Sequence, residues 1–282
     1  MTILELKRYC YFYLNSTFDV GELQCVVARL MLDVYGVSKN DVILCGDKQI
    51  DIDVEILDKI LSRISDGEPI QYVVAQESFG DLNLYVDNGV LIPRPETEEL
   101  VNIIIDENRA GVKLSILDIG TGSGAIGLSL ARAFGDASVR GLDISDSALT
   151  VARKNRSLHN VKNIEFEKCD ILSIDALDAT FDIIVSNPPY VTNSERGEMC
   201  SNVLDYEPHS ALFVEDDNPL LFYKKIADLA SKSLNKGGKL YFEINERFSS
   251  EVQKLLEECG FSSVVGVDDF RDKPRFVKGV IL

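Results

Sequence analysis

Leu114-Ser115-Ile116-Leu117-Asp118-Ile119-Gly120-Thr121-Gly122-Ser123-Gly124 is the stretch on which the fold turns. Its first half is an apolar run of strand-forming residues, and its second half is a glycine-rich turn. Apolar residues at helical spacing follow over Ala125–Phe134. A buried strand, a tight turn and a helix make one βα unit. Downstream, the pattern repeats. Strands are predicted at Ser138–Ile144, Asn163–Cys169, Phe181–Ser186, Lys239–Ile244, Phe261–Val267 and Arg275–Ile281. Helical patterns occupy Ser147–Leu158, Leu220–Leu234 and Ser250–Cys259. Alternating strands and helices predict an α/β protein with a doubly wound, mostly parallel, seven-stranded sheet. The last two strands are joined by a short loop, and a parallel crossover needs about a dozen residues. The final strand therefore runs antiparallel.

The glycine turn is also a candidate binding element. Glycines let the backbone bend tightly and let a ligand approach the main chain. Asp143 ends the next strand, where a carboxylate can accept both hydroxyls of a ribose. Gly122-Ser123-Gly124-Ala125-Ile126-Gly127 satisfies the dinucleotide pattern G-x-G-x-x-G, so two ligands are open: a dinucleotide or S-adenosylmethionine. A ligand-free βα turn is the plain alternative. Asp118, just before the turn, would repel a pyrophosphate and suits the sulfonium and amino group of S-adenosylmethionine.

Phe181–Ser186 leads into Asn187-Pro188-Pro189-Tyr190, at the strand edge where open α/β sheets bind ligands. The two prolines stiffen the chain and remove two backbone donors. The Asn187 side-chain oxygen and the Pro188 carbonyl remain as acceptors, with the Tyr190 ring beside them. Such a set suits a planar NH₂ group. An amide nitrogen is a poor nucleophile because its lone pair is delocalised, and two acceptors on its hydrogens favour the pyramidal, positively charged form. A proline turn that merely closes the strand is the competing reading.

Ahead of the sheet, residues 1–75 read as helices. Ile56, Leu57, Ile60, Leu61 and Ile64 share one helix face, capped by Asp51 or Asp53 and stopped by Gly67, and Leu23, Val26, Val27, Leu30 and Met31 repeat the pattern after Asp19. Tyr9, Tyr11, Phe12 and Tyr13 are expected in the core of this small bundle, which would dock a substrate or simply stabilise the chain. Residues 76–93 are expected to be a β-hairpin linker, with Leu82, Leu84 and Val86 alternating before an Asp87-Asn88-Gly89 turn and Val90-Leu91-Ile92 returning. Residues 94–282 form the main domain, opened by a helix with Pro95 in its first turn.

Composition narrows the function. Hydrophobic residues are 45% and charged residues 27% of 282, as in globular proteins. The net charge of −17 argues against a broad basic surface for nucleic acid. Six cysteines without a C-x-x-C pair and only two histidines offer no zinc or iron–sulfur spacing. Scattered thiols read as those of a cytoplasmic protein. The first residues lack the order of a secretory signal, and no apolar run approaches the roughly 18 residues of a membrane helix.

Asp118 through Gly124, Asp143 and Asn187 through Tyr190 together resemble an amino-methyltransferase of class I. Glu68-Pro69-Ile70-Gln71-Tyr72, Phe79-Gly80 and Leu91-Ile92-Pro93-Arg94-Pro95-Glu96-Thr97-Glu98 are more specific, as are Tyr206-Glu207-Pro208 and Gly237-Gly238 before Glu243-Ile244. From about Leu23 to Leu282 the chain is similar to the release-factor glutamine methyltransferases. That resemblance implies transfer of a methyl group from S-adenosylmethionine to the side-chain amide nitrogen of the glutamine in the Gly-Gly-Gln motif of class I peptide chain release factors. It implies cofactor binding by Asp118, Gly120, Thr121, Gly122, Ser123, Gly124 and Asp143, with Asp170 and Ile171 flanking the adenine and Asn187 adjoining. It places catalysis on Asn187, Pro188 and Tyr190. Substrate would be held by Asn187, Pro188, Pro189 and Tyr190, bordered by Phe79, Arg94, Pro95, Thr97 and Glu98. No metal, membrane or direct nucleic-acid substrate is expected. Ala75 and Asn245 stand where the family usually has glycine, and Ile171 where an aromatic residue is frequent. The rival readings are a ribosomal-protein glutamine methyltransferase, a nucleic-acid adenine methyltransferase, which needs base flipping and a basic groove, and a non-catalytic binding factor.

Overall fold

Helix signals near the start of the chain translate directly into structure. The computed structural model describes residues 1–108 and 113–282. Thr2 and Glu5 form a capping box for α1 (Ile3–Leu14), each side chain taking the other residue's backbone N–H. Asp19 caps α2 (Val20–Tyr35), and Gly36 ends it in the left-handed region. Next come α3 (Lys39–Leu44), α4 (Val54–Ser65), capped by Asp53, and α5 (Ile70–Val74). Leu6, Cys10, Leu14, Leu30, Leu57 and Leu61 meet in the core of this helical unit. The unit comprises Met1–Gln76 together with a distant segment, Cys200–Tyr206. There the Tyr206 hydroxyl donates to the Asp66 carbonyl at 3.0 Å.

One expectation for this unit fails. Phe12 is 80% exposed and Tyr13 lies at the surface, while Tyr9 and Tyr11 are half-buried. The buried face of α1 is Ile3, Leu6, Cys10 and Leu14. That stripe fixes the inward side of a 3.6-residue helix, so positions 12 and 13 must point away from it.

The second unit spans Glu77–Met199 and Glu207–Leu282. It opens with a hairpin, but not the expected one. Strands β1 (Glu77–Phe79) and β2 (Leu82–Leu84) pair antiparallel around Gly80, whose φ is +57°. Asp87–Gly89 does turn, with the Gly89 N–H on the Asp87 carboxylate. The residues beside that turn are paired by side chains and not by each other. The Asn155 amide takes both the N–H and the carbonyl of Tyr85, and the Ile92 N–H donates to Glu207. Phe79, Leu82 and Leu84 are buried with Leu100 and Ile104 of α6 (Pro95–Glu107).

The sheet is built from β3 (Ser115–Ile119), β4 (Ser138–Asp143), β5 (Ile164–Lys168), β6 (Phe181–Ser186), β9 (Leu234–Glu243), β10 (Ser262–Asp268) and β11 (Pro274–Val280). Two short strands, β7 (Val191–Thr192) and β8 (Phe213–Val214), pair in parallel outside it. The large sheet has the order β10-β11-β9-β6-β3-β4-β5. Six strands run in one direction, five of them joined by parallel pairing, and β11 runs antiparallel to both its neighbours, β9 and β10. Alternate strand residues feed two cores. Ile116, Ile183 and Val185 face α6, α7 (Ala125–Ala133) and α8 (Asp146–Leu158). Leu117, Ile184 and Phe242 face α9 (Leu221–Ser233) and α10 (Ser249–Glu258). Because β3, β4, β6 and β9 are parallel, their carboxyl ends share one edge, where the loops carrying Gly120, Asp143, Asn187 and Glu243 begin. Among the described residues, no helix is long and apolar enough to cross a membrane.

Candidate active site at the carboxyl edge of the sheet

The glycine turn forms a cradle made of backbone. Gly120, Gly122 and Gly124 all have positive φ, at +74°, +55° and +84°. The N–H groups of Gly120 and Thr121 donate to the Leu142 carbonyl, which ties the turn to the end of β4. Asn155 of α8 donates to the Ser123 carbonyl from below. At Gly122 a Cβ would meet nothing within 4 Å, so the turn is open on that side.

Asp143 lies beside the cradle. One carboxylate oxygen accepts from the Gly122 N–H at 2.8 Å and the other from Ser145 N–H at 2.9 Å. Burial raises its pKa against the pull of those bonds. Each oxygen keeps acceptor capacity after one bond. An open glycine turn next to a fixed acceptor fits the ribose end of S-adenosylmethionine.

Asp118 is placed differently from expectation. It is wholly buried, and its Oδ2 accepts from Thr121 Oγ1 at 2.6 Å and from the Gly127 N–H at 3.0 Å. Its Oδ1 has no hydrogen-bond partner. Burial pushes this carboxyl up to about 7. The residue therefore braces the turn against α7 from inside instead of presenting a carboxylate at the surface. Asp170 receives the Leu172 N–H. Ile171 is buried in the apolar layer with Leu142 and Phe181.

The Asn187-Pro188-Pro189-Tyr190 turn adjoins the cradle. A Cβ on Gly120 would sit 3.9 Å from the Asn187 carbonyl oxygen. Asn187 Nδ2 donates to Thr97 Oγ1 at 3.1 Å, and Thr97 Oγ1 donates to Glu243 Oε2 at 2.6 Å. The Tyr190 hydroxyl donates to Glu243 Oε1 at 3.1 Å. Burial and the neighbouring Glu243 charge hold the Tyr190 phenol protonated. Pro188 is buried, whereas Asn187, Pro189 and Tyr190 are half-buried. Asn245, one of the departures from the family pattern, has work of its own. Its amide donates to the Tyr190 carbonyl and to Glu195.

Residues expected to border this pocket divide. Thr97 is in it. Arg94, just before α6, is turned to Glu207 at 2.5 Å, and the same carboxylate takes the Ile92 N–H. Pro95 supplies the first turn of α6. Phe79 and Glu98 instead line a separate cavity of about 300 Å³ with Val101, Ser129 and Arg132. The reason is helical: positions 97 and 98 lie about 100° apart on α6. Sequence reasoning gave no site role to Asn155, Glu207 or Glu243. Two of them left a trace, a lone polar residue in an apolar pattern: Asn155 on the buried stripe of α8, and Glu243 at the end of the buried run from Leu240. Among the described residues, no group of three His, Cys, Asp or Glu could hold a metal ion.

Comparison with known proteins bears on this geometry. A methyltransferase domain family matches residues 111–268. The chain is 44% identical to a release factor glutamine methyltransferase of Flavobacterium psychrophilum, over 94% of each chain. It is 44% identical to another, of Bacteroides thetaiotaomicron, covering 97% of this chain and 98% of that one. Among solved structures it is similar to a methyltransferase from Pyrococcus furiosus, with a TM-score of 0.53 at 19% identity, over 79% of this chain and 98% of that one. This last likeness concerns the fold alone.

Proposed function

The chain belongs to the family of release factor glutamine methyltransferases, and from that membership we propose that it methylates the side-chain amide nitrogen of the Gly-Gly-Gln glutamine in class I release factors. The observation that carries the reading is the Asn187 side chain. Its NH₂ end is anchored by one hydrogen on Thr97, which leaves the oxygen end as an acceptor for a ligand.

S-adenosylmethionine, when bound, supplies a methyl group on positively charged sulfur. Gly120 to Gly124 and Asp143 would hold it, beside the Asn187 carbonyl. Asn187 Oδ1 and the Pro188 carbonyl would each accept one hydrogen of the substrate amide, with Tyr190 providing an aromatic face. These acceptors turn the nitrogen lone pair towards the cradle and stabilise positive charge as it develops on that nitrogen. Fixed position adds the advantage of an intramolecular reaction. No base is needed before attack, since the methylated nitrogen becomes acidic and gives its proton to water. Six unpaired cysteines suit action in a reducing cytoplasm.

We assign docking of the folded release factor to the helical unit, whose Phe12, Ile43 and Leu44 are exposed. A short peptide lacks such remote binding energy. Phe12→Ser with Ile43→Ser should lower kcat/KM for the whole factor and leave it unchanged for a Gly-Gly-Gln peptide. Equal effects on both substrates would refute the docking role. The activity itself is tested with methyl-labelled S-adenosylmethionine and release factor, ribosomal proteins or DNA. Label is expected on the release-factor glutamine, and label confined to ribosomal protein or DNA would overturn the assignment.

A further inference from the structure

Glu243 closes an otherwise apolar strand end, in the run Leu240-Tyr241-Phe242-Glu243-Ile244, and is only 1% exposed. An acid held that deep is costly unless its oxygens are satisfied. Both are: Thr97 and Tyr190 each direct a hydroxyl at one of them. Burial raises the pKa of Glu243, while those two hydroxyls and the charge of Arg275 work in the other direction.

The polarity of these bonds has a consequence further out. Each of the two hydroxyls donates to its own carboxylate oxygen, Thr97 to Oε2 and Tyr190 to Oε1. Thr97 has a single hydrogen, and Glu243 takes it. What Thr97 Oγ1 offers to Asn187 is then a lone pair, and only the Nδ2 end of the Asn187 amide can answer it. A side-chain amide can otherwise face either way, since its two ends have nearly the same shape. Here one orientation is selected, and it leaves Oδ1 outward. In the other orientation an NH₂ group would confront the NH₂ group of a substrate amide, donor against donor.

We propose that Glu243 is a positioning residue that acts through Thr97 to fix which end of the Asn187 amide meets the substrate, while holding the Tyr190 phenol in the same pocket. The inference rests on the functional reading above in one respect: that Asn187 acts as an acceptor for an amide. The bond polarity itself does not depend on the substrate.

The test uses the full chain with Thr97→Val, Thr97→Ser, Glu243→Gln and Asn187→Ala. Thr97→Val should reduce kcat roughly tenfold or more with unchanged affinity for S-adenosylmethionine, and Thr97→Ser should restore it. Glu243→Gln, which can donate as well as accept, should also lose kcat. In the Asn187→Ala background Thr97→Val should cost nothing further, because residues that act through one another are not additive. Additive losses, or a Thr97→Ser variant as poor as Thr97→Val, would overturn the proposal. A second readout is independent of substrate. The Asn187 side-chain amide, followed by ¹⁵N NMR, should exchange slowly in the wild type and in Thr97→Ser but fast in Thr97→Val. Equal exchange in all three refutes the relay. Absence of methyl transfer to any release factor by the wild type would instead refute the functional reading, with the exchange measurement still deciding the relay.

Discussion

The cradle and the Asn187 pocket share one sheet edge, but they are made in opposite ways. The cradle is local: three positive-φ glycines in one short turn, pinned by backbone N–H groups and by Asp143. The pocket is assembled from α6, the end of β6 and the end of β9, through side chains up to 146 residues apart in sequence. Backbone conformation can present donors and open space, and many ligands can use them. Presenting acceptors of defined polarity to one amide requires side chains whose orientation is fixed by other side chains. The first region should therefore govern affinity for the cofactor, and the second the rate of transfer.

The sharpest way to break that division is Asn187→Ala. Removing a preorganised partner of the transition state typically costs roughly 10²–10³ in rate. We expect a loss of kcat of that order, with cofactor affinity within a small factor. Rapid-quench turnover and calorimetry on the same variant check both halves, and a near-normal kcat would contradict the mechanism.

Asp143→Ala is the complementary break. It removes the acceptor proposed for the ribose and frees the Gly122 and Ser145 N–H groups. Hydrogen bonds to charged groups contribute about 1.5–3 kcal/mol each, so calorimetry should show cofactor affinity falling tenfold or more. If affinity is unchanged, the cradle has been misplaced.

Asp118 sharpens the comparison from beneath. Its carboxyl stands near 7 in the folded protein against an ordinary 3.8. The folded state therefore keeps a proton that the unfolded chain releases. That contribution to stability is complete below about 3.8 and is lost as the pH rises through about 7. Between pH 5 and pH 8 the wild type should lose more melting temperature than Asp118→Asn. Parallel profiles in calorimetric scans would show that Asp118 does not titrate there.

The smallest expected effect concerns backbone alone. Ala75 closes α5 at φ +55°, a conformation that the cradle entrusts to glycine. Left-handed geometry costs an L-residue about 1–2 kcal/mol, and glycine's greater freedom when unfolded returns about 0.5–1 kcal/mol of that. Ala75→Gly should thus stabilise the protein by up to about 1 kcal/mol in a urea titration. A destabilised variant would show that the methyl group packs better than the strain it carries.

Strands and helices of the large sheet were legible because they depend on apolar spacing over a few residues. β6 was placed to the residue, and the antiparallel turn of β11 came from the length of one loop. The hairpin was misplaced for a reason of the same kind. Leu82 to Ile92 has strand-like alternation, yet Asn155 and Glu207 satisfy the backbone of Tyr85 and Ile92. A hydrogen bond supplied from 70 or 115 residues away leaves no mark in the local pattern.

The sequence by itself determined the βα architecture, the glycine turn, the acceptor-rich Asn187-Pro188-Pro189-Tyr190 segment and, through longer motifs, the family. Each of these is written in neighbouring residues. Tertiary structure decided that Asp118 is an internal brace, that Phe79 and Glu98 lie at another cavity, and that Glu243 and Thr97 stand behind Asn187. Those outcomes depend on burial and on donor–acceptor polarity between distant segments. Both come into being only when the strands are set side by side.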